Sequence, residues 1–242
     1  MKVTRYSINT DKVKSAYRVV MLSDVHNKPF EKILAQVSDE NPDLILVCGD
    51  IVDRHRKTYK RALPFLRAAK DVAPTYFSYG NHEMKFPVLS EADIVATGVT
   101  LLDNDYTYFG ELCIGGQRSL SQPRHKDSAH KTDKAEGFSW LSDFEKQDAF
   151  KILMNHHPEY FEKYLKDRDI DVVLAGHAHG GQWRIGKRGV LAPGQGLFAK
   201  YVHGWYDNML VGTGVSNTAA PLIPRFFNPR EIIVIEIRPE QK

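Results

Sequence analysis

The chain has 242 residues, 42% of them hydrophobic and 26% charged, which is long enough for one large domain with a substantial core and ordinary for a soluble globular protein. Its 33 Lys and Arg exceed its 30 Asp and Glu by only three, too little to argue for a nucleic-acid partner or an anionic membrane. The two cysteines, Cys48 and Cys113, lack CxxC spacing and sit in apolar runs, which excludes a disulfide framework and fits buried thiols in a reducing compartment.

Taken in order, residues 1–9 alternate polar and apolar with no leader-like apolar block, and 4–8 reads as an edge strand. Residues 18–22 (Arg-Val-Val-Met-Leu) read as a buried strand, 30–39 as a helix on the spacing of Ile33, Leu34 and Val37, and 44–48 as a second buried strand after the turn Asn41-Pro42-Asp43. An amphipathic helix over 59–70 and a strand over 75–79 follow. This alternation predicts an α/β sheet with crossover helices, in which sites form beyond the carboxyl ends of strands. Residues 90–97 read as a helix capped by Ser90, with Asp93 at N3. Short strands are expected at 99–102, 106–109 and 111–115. Residues 118–137 are polar and nearly free of aliphatics, so they read as a surface loop, with His125 and His130 as spare ligand candidates.

Helices are expected at 139–148 and 159–167, and strands at 150–154 and 171–175. Beyond them the chain turns β-rich, with strands at 182–185, 209–214 and 232–237. No run is long enough to span a bilayer, so the expectation is a cytoplasmic protein with one domain over 1–242. The stretch from Phe198 to Tyr206 mixes aromatic and basic residues, as a packed loop does and as a substrate rim or a peripheral membrane contact also does.

Five strand ends carry metal-binding residue types: Asp24-x-His26, Gly49-Asp50-x-x-Asp53, Gly80-Asn81-His82-Glu83, Asn155-His156-His157-Pro158 and Gly176-His177-Ala178-His179. In extended backbone, residues i and i+2 point the same way, so each Asp-x-His or His-x-His pair could face one cation. Two carboxylates, an amide and four imidazoles are too many for one tetrahedral zinc and suit two cations that also hold water. Mixed N and O ligands without thiolate suit Mn, Fe, Zn or Co and argue against copper or iron–sulfur centres.

These motifs, in this order and without substitution from Asp24 to His179, resemble the calcineurin-like metallophosphoesterase superfamily. The tail, with Gly176-His-x-His-Gly-Gly-Gln182, Gly212-Thr-Gly214, Pro224-Arg225-Phe226 and Pro229-Arg-Glu-Ile232, resembles its bacterial branch related to membrane-associated phosphodiesterases and sugar-nucleotide-lipid pyrophosphatases. The resemblance implies a four-layer αββα sandwich of two mixed sheets flanked by helices, with a dimetal site at the strand C-terminal ends. It implies that Asp24, His26 and His179 bind one metal, that Asn81, His156 and His177 bind the other, and that Asp50 bridges them. The family's later His lies two positions before a Pro, which selects His156 over His157. Mn, Fe or Zn lead as the two ions, with Co, Ni or Mg behind. Asn81 and His82 would also meet substrate. His82 would protonate the leaving oxygen with Asp53 orienting it, while a metal-bound hydroxide attacks in line. The substrate would be a phosphoester, a diester or pyrophosphate ahead of a monoester. A non-catalytic metal-binding module of the same fold is the alternative; such members lose metal or acid residues, and here all seven ligands and His82 are present.

Overall fold

Runs such as Leu44–Cys48 are apolar at every position, so both faces of the strand have to be covered. A computed structural model describes residues 1–54, 57–121, 135–185, 188–217 and 225–240, and it meets this demand with two six-stranded sheets laid face to face. Strands β1 (Lys2–Thr10), β2 (Tyr17–Leu22), β3 (Leu44–Cys48), β4 (Thr75–Ser78) and β5 (Thr100–Leu101) belong to the first. Strands β6 (Asp105–Phe109), β7 (Leu112–Gln117), β8 (Phe150–Asn155) and β9 (Val172–Ala175) belong to the second. Two small hairpins follow, β10 (Arg184–Ile185) with β11 (Arg188–Gly189) and β12 (Leu191–Ala192) with β13 (Gly196–Leu197). Strands β14 (Gly204–Tyr206) and β15 (Met209–Val211) then return to the second sheet, and β16 (Glu231–Pro239) returns to the first.

The strand orders are β1-β16-β2-β3-β4-β5 and β14-β15-β9-β8-β7-β6. Strands β2 to β5 run parallel, as do β7, β8, β9 and β15, and antiparallel β16–β2, β6–β7 and β14–β15 pairs make both sheets mixed. β1 lies at the edge, as its alternating pattern requires.

The pleat divides each strand between two cores. Val19, Met21, Leu44, Leu46 and Cys48 of the first sheet meet Ile114, Ile152, Met154 and Leu174 of the second. Their neighbours Val20, Leu22, Ile45 and Val47 face outward against helices α1 (Glu31–Asp39) and α2 (Ala62–Val72), through Ile33, Leu34, Phe65 and Leu66. Cys113, Leu153, Val173 and Val211 face outward on the other side, against Phe138, Leu141, Phe144 and Phe161. The architecture is thus a four-layer α/β sandwich. Two further short helices, α3 (Asn81–Lys85) and α4 (Glu91–Val95), follow β4, and the Ser90 hydroxyl caps α4 by accepting from Asp93 N–H at 3.1 Å.

Two expected helices are cut down. In place of a helix over 139–148 there is a 3₁₀ turn, Glu136–Phe138, and one turn of helix α5 (Leu141–Phe144). The Lys151 ammonium takes the Glu145 carbonyl at 2.9 Å, a group that a longer helix would need. In place of a helix over 159–167 there is a 3₁₀ turn, Pro158–Tyr160, running into a π turn, Phe161–Leu165. The wider turn lets Tyr160 and Tyr164 clasp Phe138, with ring centroids 5.7 and 4.6 Å away, while Phe161 and Leu165 stay buried. The strand expected at 182–185 shortens to Arg184–Ile185. His125 and His130 lie outside the described residues. None of the described helices is long and apolar enough to cross a membrane.

Candidate metal centre

Strands β2, β3 and β4 deliver Asp24, Asp50 and Asn81 to one end of the sandwich, and β8 and β9 deliver His156 and His177 to the same end. The loops after β2 and β3 are zipped together: Asp24, His26 and Asn27 N–H groups donate to the carbonyls of Gly49, Asp50 and Ile51 at 3.1, 3.0 and 2.7 Å. Gly49 and Gly80 pass so closely that a Cβ on Gly49 would lie 2.6 Å from Gly80 Cα, which explains a glycine in both motifs.

The sheets are stitched here by the 212–214 segment. Gly212 N–H donates to Ala175 O at 2.8 Å and Val215 N–H to Ser23 O at 3.0 Å. Gly214, at φ 78°, lies against the Asp24 side chain, where a Cβ would come within 2.8 Å of Asp24 Cβ.

The expected i, i+2 geometry is not what brings the ligand pairs together. Asp24, His26, Asp50, His177 and His179 all have positive φ, from 48° to 62°, beyond the ends of their strands. They converge through left-handed turns rather than through the pleat of a strand. Bulky residues in this region are strained, and such strain gathers at functional sites.

All seven predicted ligands are buried, and six of them fall into two tight groups. Asp24, His26 and His179 form one group whose ligand atoms lie within 4.8 Å of one another, and Asp50, His156 and His177 form another. Asp24 Oδ1 is 3.4 Å from His179 Nε2 and 3.7 Å from His26 Nε2, and the two Nε2 atoms are 3.2 Å apart. His156 Nε2 lies 3.2 Å from Asp50 Oδ2 and 4.0 Å from Asp24 Oδ1. Asp24 Oδ1 and Asn81 Oδ1 are buried without any hydrogen-bond partner. Orphaned buried acceptors on converging ligand-type residues are what a cation site requires, so the donor set fits two metal ions. The ring orientations agree. His26 and His156 turn Nδ1 to the carbonyls of Val52 and Cys48, at 3.3 and 2.7 Å, which leaves Nε2 for a cation.

His157 lies beside the second group, its ring 4.3 Å from that of His177, and with Glu159 and His177 it forms a further cluster of ligand atoms within 4.8 Å. Its Nε2 meets Ser119 Oγ at 2.6 Å and its Nδ1 meets Glu159 Oε1 at 2.9 Å. His82 lies inside the site, with Nε2 3.7 Å from Asp50 Oδ2. Its Nδ1 faces Val52 O at 3.2 Å and Arg54 N–H at 3.3 Å, so the backbone on either side of Asp53 cradles the ring. Asp53 is buried, and its backbone pairs with Thr58 in both directions at 3.0 Å.

Burial dominates the titration of these groups. It pushes His177 and His179 well below the usual imidazole range and His82 down to about 3. Burial alone would raise the Asp50 carboxyl, but the surrounding His156, His82 and His26 rings hold it well below the carboxylate range. Against its own burial, His156 is raised to about 10, by Asp50 first.

Three residues of the site carry no role in the sequence reading: Glu83, Arg225 and Asn228. Glu83 accepts N–H groups from Asp50, Ile51, Val52 and Gly80 at 2.8, 2.8, 3.1 and 2.9 Å, tying the β3 loop to the start of α3. The only sequence signal for it is its place as the last residue of Gly80-Asn81-His82-Glu83. Arg225 gives the Nη2 hydrogens to the carbonyls of Thr213 and Ser216 at 2.8 and 2.5 Å, and Nη2 stands 3.1 Å from His179 Nδ1. Its Nε and Nη1 are buried without a partner. Asn228 Nδ2 holds the loop after His179 by donating to the His179 and Gln182 carbonyls at 2.7 and 3.2 Å.

Several known proteins are similar to this chain. A metallophosphoesterase of Helicobacter pylori (strain J99) is 28% identical over 257 aligned residues, spanning all of this chain and 65% of the relative. A metallophosphoesterase of Bacillus subtilis (strain 168) is 27% identical over 239, spanning 92% of this chain and 79% of its own. The chain thus spans about two thirds of the length of the Helicobacter relative. Among solved structures, a 5'-nucleotidase precursor from Thermus thermophilus aligns with TM-score 0.47 and 16% identity over 68% of this chain and 42% of its own. A dimetal phosphatase from Danio rerio aligns with TM-score 0.44 and 13% identity over 68% of this chain and 82% of its own. The calcineurin-like phosphoesterase model matches residues 17–181, a span that contains every ligand motif from Asp24 to His179, and the chain belongs to that family.

Proposed function

We propose that the chain is a two-metal phosphoesterase that hydrolyses phosphodiester or pyrophosphate bonds ahead of simple monoesters. The observation that carries this reading is the gathering of six buried ligand-type side chains from both sheets into two tight groups, with Asp24 Oδ1 and Asn81 Oδ1 buried and unpartnered. Asp24, His26 and His179 would hold one cation, Asn81, His156 and His177 the second, and Asp50 would lie between them. Two bound cations supply neutralisation of phosphoryl charge and a water of lowered pKa. Ligands of this kind accept Mn, Fe, Zn, Co, Ni or Mg, and availability rather than affinity puts Mn, Fe or Zn first.

The chain's own residues do the rest. Arg225 is anchored by Thr213 and Ser216 and has two buried N–H groups to offer a phosphoryl oxygen. Asn81 and His82 stand where substrate would lie. Burial keeps the His82 ring neutral at rest. An anionic phosphoryl group arriving beside it raises its proton affinity, which lets the ring carry a proton to the leaving oxygen. Asp53 acts on His82 through the loop that cradles the ring. Diesters stand first because of the resemblance of the 176–182, 212–214 and 224–232 motifs to the bacterial phosphodiesterase-like branch.

The test uses chelator-stripped protein with single metals added back, assayed on bis-nitrophenyl phosphate and nitrophenyl phosphate. Activity should return with one or two transition metals and should favour the diester. Metal binding at two per chain with no turnover on any substrate would put a non-catalytic binding module in its place. Failure to bind metal would remove both readings.

A further inference from the structure

Two residues beside the centre, His157 and Glu159, have no part in the proposed reaction, yet with His177 they bring three ligand atoms within 4.8 Å of one another. His157 Nδ1 lies 2.9 Å from Glu159 Oε1, and His177 Nε2 lies 3.7 Å from the same oxygen. The spacings within the Asp24, His26 and His179 group are 3.2, 3.4 and 3.7 Å. Nitrogen and oxygen ligands about 2.0–2.2 Å from one ion stand about 3–3.6 Å apart. The two groups are therefore spaced alike, and both are close to the spacing that a shared ion imposes.

Further features set this cluster apart from an incidental contact. Glu159 forms no ion pair with Lys or Arg among the described residues, and its Oε2 is buried without any hydrogen-bond partner. A buried carboxylate oxygen with neither donor nor counter-ion is costly unless a cation meets it. Gly194, at φ 75°, closes the chain over this carboxylate, and a Cβ there would run into it. The His157 ring is held on two sides: it stacks on Tyr160 with centroids 4.6 Å apart, and its Nε2 stands 2.6 Å from Ser119 Oγ. Without a cation, Nδ1–H donates to Glu159. With one, the ring proton sits on Nε2 and Ser119 Oγ accepts it, which frees Nδ1 as a ligand; a hydrogen bond of this kind fixes the tautomer of a metal-binding imidazole. His177 is shared with the Asp50 and His156 group. Its Nε2 is the atom on the Glu159 side, and an imidazole has a second nitrogen for the other group.

We propose that His157, Glu159 and His177 form a third cation site, for a divalent ion such as zinc, with Ser119 positioning the His157 ring. Two imidazoles and one carboxylate without thiolate are a ligand set that zinc accepts, with room left for water. An ion here ties together the segments that follow β7, β8 and β9, which carry Ser119, His157 and His177. With one carboxylate against the two of the main centre, this site fills last. It shares His177 with the two-cation reading and does not depend on turnover.

The test is zinc binding by the chelator-stripped full chain, taken to saturation by equilibrium dialysis and read by elemental analysis. The wild-type chain should hold three zinc ions, and Glu159→Gln and His157→Gln should each hold two. Ser119→Ala should keep the third ion and weaken its binding about tenfold. Equal saturation of the wild type and both variants, whatever the number, overturns the inference. A drop of one ion from a wild-type total below three keeps this site and overturns the two-cation centre, so the two readings fail separately. Should Glu159→Gln and His157→Gln fail to fold, Ser119→Ala decides alone: an unchanged affinity for the last ion overturns the inference.

Discussion

The two sheets meet at the same centre but bring different chemistry to it. The first supplies both carboxylates and the amide, Asp24, Asp50 and Asn81, together with His26 and His82; the second supplies imidazoles alone, His156, His177 and His179. They also differ in cover. Helices α1 and α2, of nine and eleven residues, pack on the first sheet, whereas single turns carrying Phe138, Leu141, Phe144 and Phe161 pack on the second. In the proposed centre the negative charge that would attract cations comes from one layer and most of the nitrogen ligands from the other, so metal binding would depend on the register across the inter-sheet core.

The sharpest way to break that division is at Asp50, the carboxylate that faces rings from both halves. Asp50→Asn keeps the volume and removes the charge. Metal content, read by elemental analysis, should fall below two per chain, and kcat/KM should fall about 10³-fold, the equivalent of several kcal/mol of lost charge stabilisation. Normal metal content in this variant would rule out a bridging position. His82→Ala stays within the first half and touches no expected ligand role. It should leave metal content intact and slow turnover about 10²–10⁴-fold on substrates with poor leaving groups. The loss should shrink with nitrophenolate, which departs without a proton; an equal loss on both would remove His82 as the acid.

Arg225 tests the other half. Replacing it with Gln should lower kcat/KM about 10–100-fold, the loss expected for a hydrogen bond to a charged group, while metal content stays near wild type. Lys at the same position should restore only part of the activity, since it lacks the fork that spans two oxygens. If Arg225→Gln loses metal in place of turnover, the residue holds His179 in position and does not contact substrate.

The contrast between the halves also explains what is legible in the sequence. Strands such as 44–48 and 172–175 are readable because burial on both faces leaves an uninterrupted apolar run, and the ligand motifs are readable because each follows such a run. The covers are readable only over the first sheet, where Ile33, Leu34 and Val37 keep helical spacing through a full-length helix. Over the second sheet, Lys151 on the Glu145 carbonyl and the clasp of Phe138 decide where the turns stop, and both are long-range contacts. The left-handed backbone at Asp24 and His179 has no local signature, since those residue types are placed there by surrounding hydrogen bonds. Arg225 lies 46 positions beyond the His179 it touches, so the Pro224-Arg225-Phe226 motif gives no sign of that contact.

The smallest expected effect separates the two covers directly. Cys48 faces the inter-sheet core, and Cys113 faces the outer cover of the second sheet. Both thiols are buried. Burial, helped by Asp24, pushes the Cys48 thiol up, and burial pushes Cys113 to about 11. Thiolate is the reactive form, so neither should react with a thiol reagent in the native protein at pH 8. In mild denaturant the difference in cover should appear. Short turns over Cys113 open locally at lower free energy than two packed sheets part over Cys48. Cys113 should therefore label about tenfold faster at sub-denaturing urea, with the site of modification read by peptide mass. Equal rates would mean that the outer turns and the inter-sheet core open as one unit. The second sheet would then be as firmly clad as the first, and the division of labour between the halves would be chemical alone.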